Sequence, residues 1–187
     1  MMSLVKDALR KQTLNRRAAL TLEERSQKSW AAVQHLSQAP IFLASRTVAI
    51  YFPLKTELAI DSLLELATDH TRCYVAPRTL ADKQMSFHQV ASSSNLEQGF
   101  GTSMQPAETA PRVDLDQIDL FLVPLAACDQ RGNRLGFGGG FYDRALREQR
   151  GFKLGVGFSL QLVPQIESEP HDVALDGFIS ENGILQF

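Results

Sequence analysis

The stretch DLFLVPLAACDQRGNRLGFGGGFYDR, residues 119–144, decides how this chain folds. Ile118, Leu120, Phe121, Leu122 and Val123 make a nearly unbroken apolar run, the pattern of a strand covered on both faces in a mostly parallel sheet. Pro124, which has no N–H to offer a ladder, ends it. Gly132, Gly136, Gly138, Gly139 and Gly140 follow, and residues 141–148 (FYDRALRE) read as a helix. A strand, a glycine-packed turn and a helix in this order allow two readings. The glycines can serve tight packing alone, or the turn's N–H groups, the helix N-terminus and Arg134 can converge on an anion such as phosphate. Polar side chains crowd the turn: Asp129, Arg131, Asn133, Arg134, Tyr142, Asp143 and Arg144. A purely structural turn needs few of these. The common nucleotide fingerprints are absent: no G-x-x-x-x-G-K-[ST] occurs, and Phe141 and Leu160 stand where the dinucleotide pattern wants a third Gly or Ala after Gly136-x-Gly138 and Gly155-x-Gly157.

Outward from this stretch the chain alternates between helix and strand. Residues 3–19 predict a basic helix, and Thr21-Leu22-Glu23-Glu24 has the form of a capping box opening a second helix to about residue 38, so the chain starts as a helical hairpin. Residues 47–52 (TVAIYF) read as a strand, 60–69 as a helix and 73–76 as a strand stopped by Pro77, which together make a βαβ unit. Residues 85–90 (MSFHQV) and 153–158 (KLGVGF) read as further strands. Residues 91–111, rich in Ser, Gly, Thr and Pro, read as a long loop of the kind that often carries function. The expected fold is α/β, an open, mostly parallel, doubly wound sheet flanked by helices. Such sheets bind ligands beyond the carboxyl ends of their strands. Glu57, Arg78, the glycine turn and Ser159 each come just after a predicted strand, so all four are expected on one rim.

Composition narrows the function classes. A chain of 187 residues, 44% hydrophobic, fits one domain spanning residues 1–187. A net charge of −2 gives no long-range attraction for nucleic acid or an anionic membrane, and no zinc-finger or RNA-binding signature occurs. Cys73 and Cys128 form no CxxC pair and read as reduced thiols, which suggests the cytoplasm. The first residues are too charged for a signal-peptide core, and no apolar run approaches the ~20 residues that span a bilayer. A soluble monomer is expected.

Other candidates stand outside the glycine turn. Lys6, Arg10 and Arg17, at i, i+4 and i+11, fall on one helical face; on charge alone such a stripe is a solvated surface. Asp143 can cap a helix, and Asp172, after Pro170-His171, can be a turn residue. On spacing alone these structural readings are the stronger ones, although two carboxylates suffice for Mg²⁺, which keeps its waters and takes phosphate oxygens. His171 has no second histidine at ligand spacing and reads as a surface or capping residue. Cys128 reads as packing beside the turn.

The run RLGFGGGFYDR at 134–144, preceded by VPLAACDQRGN, resembles the signature of the 5-formyltetrahydrofolate cyclo-ligase family, also called methenyltetrahydrofolate synthetase. Lys6 and Arg10, AIYFPLKTE at 49–57, APR at 76–78 and HDVALDGFIS at 171–180 extend the likeness over nearly the whole chain. The resemblance implies ATP and Mg²⁺ as cofactors and 5-formyltetrahydrofolate, with or without a polyglutamate tail, as substrate. It implies a nucleotide site made by Lys6, Asp7, Ala8, Leu9 and Arg10 with Arg134, Leu135, Gly136, Phe137, Gly138, Gly139, Gly140, Phe141 and Tyr142. Arg134, Lys6 and Arg10 would act on the transferring phosphoryl group, and Asp143 and Asp172 would hold the metal. Phe52 and Tyr142 would offer ring surface to the folate, and Glu57 would accept from the amino group and ring N–H of the pterin. Phe100, in the long loop, is a further folate candidate that could close over the ring or equally be a core residue. The implied reaction is attack of the formyl oxygen on the γ-phosphate of ATP, then closure by N10 with loss of phosphate. Many members carry Lys at the position of Gly139, so one phosphate contact is missing here. Two readings remain beside it: a phosphate- or CoA-binding isomerase or transferase on a related scaffold, and a folate- or nucleotide-binding module without turnover.

Overall fold

The computed structural model describes residues 4–66, 72–91, 96–99 and 103–187. Helices α1 (Leu4–Ala18) and α2 (Leu22–Ser37) form the expected N-terminal pair. The capping box closes as its sequence requires: Thr21 Oγ1 accepts the Glu24 N–H at 3.1 Å, and Glu24 Oε2 accepts the Thr21 N–H at 2.7 Å. A short helix α3 (Pro40–Ala44) follows, with proline in its first turn, where the missing N–H costs no hydrogen bond.

The strands are β1 (Thr47–Ala49), β2 (Cys73–Thr79), β3 (Met85–Gln89), β4 (Leu96–Gln98), β5 (Met104–Pro106), β6 (Arg112–Val113), β7 (Leu120–Pro124), β8 (Ala127–Asp129), β9 (Arg134–Leu135), β10 (Phe152–Val156), β11 (Leu162–Val163), β12 (Gly177–Ser180) and β13 (Gly183–Gln186). Helix α4 (Leu63–Leu66) lies between β1 and β2, and α5 (Phe141–Leu146) between β9 and β10. Eight strands make the main sheet in the order β13-β12-β10-β7-β1-β2-β3-β6. The five from β12 to β2 are parallel and the edges are antiparallel. From β1 the chain winds one way to β2, and from β7 the other way to β10 and β12. The switch point therefore lies between β1 and β7, where doubly wound sheets open a crevice.

The apolar run at 118–123 is explained by burial on both faces. Leu120 and Leu122 join Val48, Ile50, Leu154 and Val156 against Ala32, Val33 and Leu36 of α2 and Phe42 of α3. Phe121 and Val123 face the other way, with Ala49, Val75, Phe87, Phe178 and Leu146 of α5. Phe121 and Phe87 meet edge to face, centroids 5.9 Å apart at 83°. α1 packs mainly on the turn at 159–161 and α2 on β12 and β13, so each helix of the pair uses the body of the protein more than its neighbour.

Several boundaries differ from the sequence expectation. Pro77 does not stop its strand: β2 continues to Thr79. The bonds Val90 N–Tyr74 O and Leu80 N–Gln84 O put the hydrogen-bonded pairs of the β2–β3 ladder at alternate residues, and Pro77, opposite Phe87, falls at a pair that exchanges none. The expected loop 91–111 contains the hairpin β4–β5. Between β7 and the glycine turn lies a second hairpin, β8–β9, which with β11 makes a separate three-stranded sheet. The helix expected at 60–69 is the single turn α4 within the described residues, and the one expected at 141–148 ends at Leu146.

Candidate active site

A cavity of about 550 Å³ opens at the switch point, within the size range of small-molecule sites. The segment after β1 supplies Tyr51, Phe52, Leu54 and Glu57; β7 supplies Pro124; β9 and the turn after it supply Arg134 to Tyr142. α1 reaches over the rim with Lys6 and Arg10, the β4–β5 hairpin contributes Met104 and Gln105, and Glu169, His171 and Asp172 close the far side.

Buried charges here are paired. Arg134, 7% exposed, donates from Nη2 to Asp143 Oδ1 at 2.7 Å and lies over the Tyr142 ring at 5.8 Å. Asp143 Oδ1 also accepts the Val173 N–H at 3.3 Å. Lys6, 5% exposed, donates from Nζ to Asp172 Oδ2 at 2.7 Å and to Glu169 Oε2 at 2.8 Å. Burial pulls the Lys6 pKa down, but the two carboxylates outweigh it and hold the ammonium above its ordinary value. Burial likewise pushes the Asp172 carboxyl up, and Lys6 with the Glu169 N–H brings it below the usual range. Arg10 Nε donates to Gly136 O at 2.8 Å and its Nη1 to Asp7, so α1 clamps the start of the glycine turn.

The turn itself depends on backbone freedom. Gly138 and Gly140 have φ of +95° and +66°, angles that side chains rarely tolerate. A Cβ on Gly139 would stand 2.6 Å from the Phe141 ring. A lysine at 139 therefore requires that ring to move.

Glu57 is 7% exposed and accepts the Leu54 N–H at Oε2, 2.8 Å away. Burial pushes its carboxyl above the ordinary value, opposed by that N–H and by Arg17. Burial, reinforced by the Glu57 charge, pushes the Tyr51 and Tyr142 hydroxyls up, and Tyr51 Oη donates to Leu58 O at 2.6 Å. The cavity thus offers an apolar, aromatic end with one carboxylate and a polar end with paired cations and carboxylates.

A family model described as the 5-formyltetrahydrofolate cyclo-ligase family matches residues 2–181. The chain belongs to that family. It is 32% identical over 183 residues to the 5-formyltetrahydrofolate cyclo-ligase of Mycoplasma pneumoniae, covering 94% of this chain and 98% of the relative. The Escherichia coli K12 enzyme of the same name is 27% identical over 178 residues, 92% and 98% of the two chains. The 5,10-methenyltetrahydrofolate synthetase of Aquifex aeolicus, solved by NMR, superposes with a TM-score of 0.87 at 32% identity, covering 98% of this chain and 93% of the other. A Mycoplasma pneumoniae synthetase structure superposes at 0.77 with 29% identity, covering 94% and 98%.

This cyclo-ligase fold brings most of the sequence-derived candidates to one cavity: Lys6, Arg10, Phe52, Glu57, Arg134 to Tyr142, Asp143 and Asp172. Asp7, Ala8 and Leu9 do not reach it. The helical period sends Asp7 to Arg10, Ala8 to solvent and Leu9 against Ala127, Leu135, Val163 and Ile166. Two residues expected on the rim lie elsewhere. Arg78 sits inside β2, bonded to Glu97 and to Pro106 O, while Ser159 donates to Glu181 from both N and Oγ at 2.8 and 2.7 Å. Lys6 is buried and so departs from the solvated-face reading of its stripe. Phe100 lies outside the described residues. Cys128 is buried in β8, and burial pushes its thiol to about 12, which leaves it unreactive. Sequence reasoning missed Glu169, Met104 and Gln105. The Glu169-x-x-Asp172 spacing was the available signal for the first; the other two were hidden in a stretch read as loop.

Proposed function

We propose that this chain converts 5-formyltetrahydrofolate to 5,10-methenyltetrahydrofolate with ATP, within one domain of residues 1–187, as a cytoplasmic monomer that needs neither nucleic acid nor membrane. Family membership supports the reaction, and the relatives bear its two names. One observation carries the residue assignment: a single cavity at the switch point joins the glycine turn and Lys6, Arg10 and Arg134 to the aromatic wall bearing Glu57. Phosphoryl transfer asks a protein for preorganised positive charge and N–H donors around the phosphates. Arg134 and Lys6 are held rigid by Asp143, Asp172 and Glu169, and Arg10 fixes the turn whose backbone faces the same space. Helix α5, only Phe141–Leu146, adds little dipole, so side chains and turn N–H groups carry this task.

Glu57 accepts the pterin donors, with Phe52 and Tyr142 as ring surface. The formyl oxygen then attacks the γ-phosphorus and ADP leaves; N10 attacks the formyl carbon and gives up its proton to water as phosphate departs with the formyl oxygen. The residues present fit Mg²⁺. Asp143 and Asp172 each use one oxygen in the hydrogen bonds described, leaving the other out of them. The lining carries three cations, Lys6, Arg10 and Arg134, against four carboxylates, Glu57, Asp143, Glu169 and Asp172, so a polyphosphate enters better with a divalent ion. When bound, Mg²⁺ supplies positive charge to the phosphate oxygens. Arg134→Ala and Asp143→Ala should each abolish methenyl formation, followed by its ultraviolet absorbance, while the protein still folds and unfolds cooperatively at a lowered temperature. Turnover retained in either variant removes that residue from the site; lost folding makes it structural.

No helix among the described residues is long and apolar enough to cross a membrane.

A further inference from the structure

Arg17 completes the α1 stripe, and the mechanism above gives it no task. It does not line the cavity, and its side chain is 5% exposed. The guanidinium is wedged behind the wall that bears Glu57. Its Nη2 donates to Thr56 Oγ1 at 3.0 Å; its Nη1 lies 3.5 Å from Leu125 O and 3.9 Å from Glu57 Oε1. Phe137 of the glycine turn covers it, ring centroid 5.4 Å from Cζ. Among the described residues its Nε is a buried nitrogen without a hydrogen-bond partner. Arginine keeps its proton even where burial pulls its pKa down. A cation so enclosed and incompletely bonded needs a facing negative charge, and among the described residues the one it meets is the Glu57 carboxylate, its side chain also 5% exposed.

We infer that Arg17 is a positioning residue for folate: from behind the wall it keeps Glu57 ionised and, through Thr56 and Phe137, fixes that carboxylate relative to the glycine turn. This rests on the assignment of Glu57 to the pterin. Among the described residues, the titratable groups whose charge couples to Glu57 are Arg17 from α1, Tyr51 from the segment after β1 and Tyr142 from α5. Both phenols stay neutral at working pH, so Arg17 supplies the positive charge against the burial that favours protonated Glu57. Protonated, Glu57 loses an acceptor lone pair and meets the pterin donors poorly.

The test is kcat/KM for 5-formyltetrahydrofolate as a function of pH, with KM for ATP as the control. Arg17→Met should raise folate KM about tenfold at neutral pH and move the acid limb up by about one pH unit or more, leaving ATP KM within about twofold. Glu57→Gln should remove the limb, and adding Arg17→Met to it should cost nothing further. An unmoved limb, equal rises in both KM values, or a full Arg17→Met effect in the Glu57→Gln background overturns the inference. If Arg17→Met does not fold, Arg17→Lys carries the test. It keeps the charge and loses the fork, so folate KM should rise a few fold with the limb within about half a pH unit of wild type; an unchanged folate KM, or an equal rise for ATP, overturns the inference. Wild-type protein that makes no methenyl product refutes the ligase reading by itself. Equilibrium binding of 5-formyltetrahydrofolate against pH then reads the Arg17–Glu57 linkage separately.

Discussion

Asp129 is fully buried and accepts four hydrogen bonds, from the N–H groups of Arg131, Asn133 and Ile166 and from Asn133 Nδ2, all at 2.9–3.0 Å. In the sequence it counts among the polar residues that favour a binding turn, yet it braces the β8–β9 hairpin and stays out of the cavity. Burial pushes its carboxyl up, and the four donors win and hold it below 3.8. Because the folded value lies below the unfolded one, its contribution is present above the unfolded pKa and is lost as pH falls through the folded pKa. Asp129→Ala should therefore cost on the order of 3 kcal/mol at neutral pH by urea unfolding, with the gap to wild type narrowing on acidification. A constant gap down to pH values below the ordinary carboxylate range would refute this. Residue roles of this kind are invisible to spacing. Arg134 and Asp129 are both charged residues near glycines, and only the pairing of β8 with β9 sends one to the cavity and the other to the hairpin.

Among elements, those with long-range periodicity or strong end signals were legible. The strand at 118–123 declared itself because both faces are buried, and α2 because Thr21 and Glu24 cap it reciprocally. Strands of two or three residues, such as β6, β9 and β11, carry no alternation to read. The β4–β5 hairpin was masked by the Ser, Gly and Thr around it. That hairpin forms one wall of the cavity and is held by β2: Arg78 Nη1 donates to Pro106 O at 2.9 Å and to Glu97, and Gln105 Oε1 accepts from Thr79 N and Oγ1 at 3.1 and 3.0 Å. Arg78→Ala should free the wall without touching the cations at the polar end. Folate KM should rise several-fold with a smaller change in kcat, and stability should fall by about 1–2 kcal/mol. A kcat loss at unchanged KM would instead make Arg78 part of the chemistry.

On the scale of the molecule, the main sheet reverses its winding between β1 and β7, and the residues that follow those two strands meet over the gap. The rim rule read from the sequence placed Glu57 and the glycine turn together for this reason. It failed for Ser159, whose strand β10 lies one place beyond the switch, and for Arg78, whose strand runs on past the rim. The reach of α1 over the sheet was beyond sequence reasoning, since a cationic stripe looks the same in solvent and in a cavity. Together these features make one two-substrate site out of distant segments. The first test mixes the purified protein with ATP, Mg²⁺ and 5-formyltetrahydrofolate and follows methenyl absorbance and ADP together. Product should form one-for-one with ADP; both ligands bound with no product, or product without ADP, rules out a two-substrate ligase site.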